Sequence, residues 1–278
     1  MSLELFESIL LQLQQSSLVN DDYALWLSSY NEHLLYPKLR ESLDLVRQYK
    51  KSFSLLTNGI GLLEHAKLIH RYRDVIHGIS VNLCAGNSID YNYFTGNPPS
   101  TFSKIIEGLY SLYDMDSSRY QEIVSITVNG VFDDEHGKAQ TIFRVDDGST
   151  DKQIGQLQAL LPYRNISDAR PLCDRAGLLK PHALDNAVDP IRTWWKLPVG
   201  AEVASGCNGG GESGGRPFEW VHISSNGDLY TCCQDYLQTV TYGNLKSNSL
   251  DRLLVSEKRD RAIKRTLKEL CTKCWFSY

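Results

Sequence analysis

The chain has 278 residues, 42% hydrophobic and 22% charged, enough to bury a substantial core and neither low in complexity nor disordered in composition. A net charge of -4 and a pI near 6.0 give no electrostatic pull toward nucleic acid or an anionic membrane, so neither is expected as a partner. No apolar run approaches the ~18 residues that span a bilayer, and Met1-Ser2-Leu3-Glu4-Leu5 lacks the basic and apolar regions of a signal peptide. A cytoplasmic location is therefore expected. In that reducing compartment seven cysteines, an odd number and mostly clustered, read as metal ligands plus spare thiols and not as disulfides.

The N-terminal half alternates helical and strand patterns. Phe6, Ile9, Leu10 and Leu13 fall at helical spacing, and Ala24-Leu25-Trp26-Leu27 reads as a short buried strand. Pro37 is expected to open a second helix with Leu39, Leu43, Val46 and Tyr49 on one face. A strand over 53–56 closes at Thr57-Asn58-Gly59, a third helix turns Leu62, Ala66, Ile69 and Tyr72 inward, and a strand over 79–83 follows. Phe102, Ile105, Ile106, Leu109 and Tyr113 mark a fourth helix, and 123–128 another strand. Repeated βα units of this length predict an α/β fold with a parallel sheet under outer helices, open or closed into a barrel. In either form a ligand sits at the C-terminal ends of the strands. Tyr30-Asn31-Glu32-His33, Thr57-Asn58-Gly59, Asn82 and Asn129-Gly130 all fall there, and four such groups at one rim point to a site.

The C-terminal third carries the metal signal. Cys271-Thr272-Lys273-Cys274 offers two thiolates from one turn. Val221-His222-Ile223 and Leu229-Tyr230-Thr231 flank the turn signal Asn226-Gly227 and predict a β-hairpin that delivers Cys232. Six glycines between 206 and 215 let the backbone wrap closely around Cys207. One helix through Leu250, Leu253 and Leu254 and another through Ile263, Leu267 and Leu270 return Cys271 and Cys274 to the hairpin. Lys264, Arg265, Lys268 and Lys273 are placed to offset thiolate charge. Cys84 reads as a core residue; Cys173 and Cys233 are alternates to the four ligands Cys207, Cys232, Cys271 and Cys274. On these residues alone an iron-sulfur cluster and a four-cysteine zinc remain equal.

Met1-Ser2-Leu3-Glu4-Leu5-Phe6, the segments 30–37 and 56–63, and Val81-Asn82-Leu83-Cys84-Ala85-Gly86-Asn87 resemble consecutive landmarks of the radical S-adenosylmethionine (radical SAM) barrel. Cys207, Gly227-x4-Cys232 and Cys271-x2-Cys274 resemble its C-terminal SPASM/twitch extension. The resemblance implies a partial (β/α) barrel over 1–170, a junction over 171–205 and a SPASM/twitch domain over 206–278. It implies an auxiliary 4Fe-4S cluster on the four cysteines and favours it over zinc. It also implies S-adenosylmethionine near Glu32, Asn58 and Asn82, a peptide or sugar-like substrate attacked through a 5′-deoxyadenosyl radical, oxidoreductase chemistry, and an electron donor such as flavodoxin or ferredoxin. The family's Cys-x3-Cys-x2-Cys motif does not occur in the 278 residues, and Ser29-Tyr30-Asn31-Glu32-His33 keeps only the glutamate of its Gly-Gly-Glu-Pro segment. A non-catalytic cluster-binding scaffold, peptide-recognition unit or electron relay is the alternative.

Other chemistries lack their residues. There is no phosphate-binding Gly-x4-Gly-Lys-Ser/Thr loop, no His-Glu-x2-His and no Gly-x-Ser-x-Gly. His65, His70 and His77 read as solvated, and Trp194-Trp195 and 91–94 as packing aromatics.

Overall fold

Ser2 opens the first helix, α1 (Leu3–Gln15), its hydroxyl accepting the Leu5 N–H at 3.3 Å. Leu5, Phe6, Ile9, Leu10 and Leu13 form the buried stripe that the spacing predicts. The structure, a computed structural model, describes residues 1–20, 24–26, 32–83, 85–128, 132–133, 139–140, 149–168, 201–207, 215–274 and 277. They divide into two compact units, one of residues 1–20 with 173–278 and one of 21–172. This differs from a division at 170, because α1 groups with the C-terminal residues. Gln12 fixes it there: Nε2 donates to the Leu245 carbonyl at 3.3 Å and Oε1 accepts the Leu250 N–H at 2.9 Å. Asp251 accepts the Ser16 hydroxyl.

The unit of 21–172 is built on an all-parallel sheet in the order β1 (Leu25–Trp26), β2 (Phe53–Thr57), β3 (Ile76–Leu83), β4 (Val124–Val128) and β7 (Ile166–Asp168). A small ribbon, β5 (Phe132–Asp133) with β6 (Ala139–Gln140), accompanies it. Among the described residues the sheet is open, with β1 and β7 at its edges. The strand expected over 24–27 is not a buried one: it pairs for two residues at the edge, and Trp26 is 56% exposed. Around the sheet run α2 (Leu39–Gln48), α3 (Leu62–Arg71), α4 (Ser88–Thr95), α5 (Pro99–Met115), α6 (Ser117–Ile123) and α7 (Ser149–Leu160). Pro37 does not open α2 but lies in the turn before it, and Tyr49 caps its end outside the buried face. In α5, Pro99 stands in the first turn and Phe102, Ile105, Ile106, Leu109 and Leu112 are buried, each contributing ~1.5–3 kcal/mol of apolar burial. Ile123 ends α6 and does not belong to the strand that follows it.

The other unit holds α8 (Arg216–Glu219), an antiparallel sheet in the order β10-β9-β8 from β8 (His222–Ile223), β9 (Asp228–Tyr230) and β10 (Thr241–Asn244), then α9 (Leu250–Leu254) and α10 (Glu257–Glu269). The predicted hairpin is β8 with β9. Gly227 closes it at φ +90°, a conformation that favours glycine, and donates its N–H to the Ser224 carbonyl at 3.0 Å. Among the described residues no helix is long and apolar enough to cross a membrane.

Candidate functional site

Three separate segments place the four predicted thiols. Cys232 follows β9, where the chain turns back: Asp235 donates its N–H to the Cys232 carbonyl at 3.0 Å, and Gln234 donates to the Cys232 sulfur at 3.4 Å. The buried Asp235 carboxylate holds that turn by accepting the Val240 N–H at 2.8 Å and the Thr239 hydroxyl at 3.0 Å. Cys271 and Cys274 lie on either end of a 3-10 turn directly after α10, closed by the Cys274 N–H on the Cys271 carbonyl at 3.1 Å. The buried pair Thr231 and Thr266, hydroxyl to hydroxyl at 2.5 Å, ties the end of the hairpin to the last turns of α10. Cys207 forms an antiparallel bridge with Ser277, three residues beyond Cys274.

Cys207, Cys232, Cys271 and Cys274 are buried and Cys233 is half-buried, and none of the five is in a disulfide. Cys232 and Cys233 share a hydrogen bond that holds the Cys233 thiol down at about 6 and, with burial, pushes Cys232 up. Burial raises Cys271 to about 11 against the hydroxyl of Ser277. A bound metal takes the place of thiol protons, so the raised Cys232 and Cys271 would bind it as thiolates. Cys173 and Cys84 lie outside the described residues.

A guanidinium joins this group. Burial disfavours the charge on Arg216, yet Cys233, Cys232, Cys207 and Cys274 together prevail and raise its pKa. Its neighbour Gly215 sits at φ +83° against Cys207, where a Cβ would come within 2.2 Å of the Cys207 carbonyl oxygen. Next to Arg216 an aromatic stack runs from Trp220 to the buried His222 (ring centroids 6.0 Å) and on to Tyr230 (5.3 Å). Burial and then Arg216 lower His222 to about 4, so it is neutral at pH 7. The cations expected to balance thiolate charge do less. Lys264, Arg265 and Lys268 are exposed on α10, Arg265 is paired with Glu269 at 2.8 Å, and the side chain of Lys273 lies outside the described residues.

The described part fits an iron-sulfur group. Its four predicted cysteines are buried and in no disulfide, an amide already donates to the Cys232 sulfur, and a cation stands beside them. Among the described residues no three Cys, His, Asp or Glu side chains close on one point as a single ion requires.

The parallel sheet offers a second surface in its own unit. Register places Leu55, Thr57, Ile79, Val81, Leu83, Val124, Ile126 and Val128 on one face, all buried. The opposite face carries the rows Leu56-Ser80-Ser125 and Asn82-Thr127-Ser167, half-buried except for the exposed Ser167. Parallel strands buried on both sides read as continuous apolar runs, so this face is a polar floor. Asn82 accepts the Thr127 hydroxyl across it. Glu32 and Asn58 come together beside the end of β2. The Glu32 carboxylate accepts the Thr57 hydroxyl and the Asn58 N–H, each at 2.8 Å, and the Leu34 N–H at 3.2 Å. Neither is bonded to Asn82. Asn31, Asn129 and Gly130 lie outside the described residues.

Residues 215–275 match the model of the SPASM family, an iron-sulfur cluster-binding domain. This stretch is a SPASM domain. It includes Cys232, Cys233, Cys271 and Cys274, whereas Cys207 precedes it. Solved structures similar to the whole chain are BtrN in complex with AdoMet and 2-DOIA (TM-score 0.56, 15% identity, 99% of this chain and 80% of BtrN), native anSMEcpe with bound AdoMet and Kp18Cys peptide (0.55, 16%, 99% and 78%), and Streptococcus suis SuiB bound to precursor peptide SuiA (0.50, 15%, 99% and 63%). The chain thus combines a SPASM domain with the fold of radical SAM proteins. No curated protein sequence matches it. Around the SPASM thiols, the sequence reading missed Arg216, Gln234 and Ser277. Only the glycine run before Arg216 marked its neighbourhood, because its thiol neighbours are remote in sequence.

Proposed function

We propose that this chain is a radical SAM/SPASM-type protein of the cytoplasm that holds one 4Fe-4S cluster on Cys207, Cys232, Cys271 and Cys274, with Cys233 and Cys173 as alternates. The observation that carries the reading is the SPASM match over 215–275 on a region whose described cysteines are in no disulfide, with Cys232, Cys271 and Cys274 buried. A lone zinc draws its thiolates to ~2.3 Å from one centre, whereas a cubane takes one thiolate at each of its irons and spreads them wider. The cluster, when bound, supplies one-electron storage. The polar floor of Ser80, Asn82, Ser125 and Thr127 supports binding of S-adenosylmethionine and of a peptide or sugar-like substrate in an oxidoreductase reaction, as the AdoMet, 2-DOIA and peptide complexes of the similar structures do. A flavodoxin or ferredoxin would be the electron donor.

Anaerobic reconstitution with iron and sulfide tests the reading. About four irons and four sulfides per chain are expected, falling at least severalfold in Cys271→Ser or Cys274→Ser. One zinc per chain with no sulfide uptake rejects the cluster.

One observation favours the second reading, a non-catalytic cluster-binding scaffold or electron relay. Glu32, the residue the family resemblance assigns to the methionine amino group, already accepts three hydrogen bonds from its own chain. Calorimetric titration of the reconstituted protein with S-adenosylmethionine separates the two: binding supports the first reading, and no heat supports the second.

A further inference from the structure

We infer that Arg216 is the fixed positive charge that sets the reduction potential of the cluster on Cys207, Cys232, Cys271 and Cys274, an inference that rests on the cluster proposal above. Three features place it. Arg216 is the first residue of α8, and Gly215 before it lies so close to Cys207 that a side chain there would meet the Cys207 carbonyl, which sets the helix start beside that residue. The guanidinium Nε and Nη1 are shut off from solvent, and the group stands 5.8 Å from the Trp220 ring centroid. Arg216 lies within hydrogen-bonding reach of Cys233 and within electrostatic reach of Cys232, Cys207 and Cys274.

The chemistry follows from charge. Reduction of the cluster adds one electron to a site already negative from its thiolates, and a nearby cation out of water stabilises the reduced form more than the oxidised one. Arginine suits this task because it stays protonated throughout the accessible pH range. The exposed Lys264, Arg265 and Lys268 are screened by solvent and salt and contribute little. Arg216 therefore raises the potential, and its loss lowers it.

The test is a spectroelectrochemical titration of the reconstituted 278-residue chain with dithionite at pH 7, one electron passing from dithionite to the cluster, together with iron and sulfide counts. Arg216→Gln is expected to keep its cluster and to show, at a fixed potential, an at least tenfold lower ratio of reduced to oxidised cluster, about 59 mV for a one-electron couple. Arg216→Lys, which keeps the charge, is expected to stay near wild type. Cluster loss from Arg216→Gln with retention in Arg216→Lys also supports a charge role. An Arg216→Gln protein that is loaded and has the wild-type potential overturns the inference while leaving the cluster proposal intact. So does an Arg216→Lys protein at the Arg216→Gln potential, or folded variants that both lose iron, since the role is then packing. A wild-type protein that takes up no iron and sulfide overturns both.

Discussion

His33 shows how a residue at a suggestive position takes a packing role. It opens the 3-10 turn after Glu32, lies near the rings of Tyr36 (6.1 Å) and Phe53 (5.9 Å), and keeps Nε2 buried with no hydrogen-bond partner among the described residues. Burial lowers its pKa from 6.5 to about 4. The unfolded chain takes up a proton near the ordinary value, whereas the folded chain resists until about pH 4. Stability from this residue is thus complete above pH 6.5 and is lost as pH falls toward 4. Urea unfolding of the wild type is expected to lose up to about 3 kcal/mol over that window, and His33→Gln to flatten that part of the profile. Glu32, its neighbour, clamps the end of β2 to the turn after β1 through Thr57, Asn58 and Leu34. At this scale the sequence marks which residues matter and not what each does, because hydrogen bonding to Glu32 comes from a strand more than twenty residues away.

At the scale of elements, the approach of α8 to Cys207 depends on one backbone. Gly215→Ala would put a methyl into the Cys207 carbonyl at a φ that side chains rarely adopt, so the loop must shift. The variant is expected to reconstitute with less than half the wild-type iron and to lose about 2 kcal/mol or more in urea unfolding, whereas Ser256→Ala, which removes the cap of α10, is expected to cost only about 1 kcal/mol. The helices were legible where an apolar stripe recurs over several turns, as in α1, α3 and α5. α4 was not, since of its described side chains only Tyr91 is buried, packed on Phe102 at 5.7 Å. The hairpin was legible from Asn226-Gly227 because the turn demands a left-handed glycine. The polar floor was also written in the chain, in the alternation Ile79-Ser80-Val81-Asn82-Leu83 and Val124-Ser125-Ile126-Thr127-Val128, which marks two unlike faces. The pairing register turns that alternation into a surface.

At the scale of the whole molecule, the grouping of residues 1–20 with 173–278 was beyond sequence patterning. The stripe of α1 announces a buried face and is silent about what buries it. Leu10 is fully buried on that face, and Leu10→Asp would set an unpaired carboxylate among apolar side chains. Hydrogen exchange of this variant is expected to lose protection across 222–270 by at least tenfold while 53–57, 76–83 and 124–128 keep theirs; uniform loss, or none in the C-terminal unit, would contradict the division. The partners of Gln12, Leu245 and Leu250, stand 233 and 238 residues along the chain. At ~5–20 residues per second of synthesis, α1 leaves the ribosome roughly 10–50 s before those partners exist. Through that interval Leu5, Phe6, Ile9, Leu10 and Leu13 lack the native surface around Leu245 and Leu250, and an apolar stripe left uncovered for that long is what holding chaperones bind.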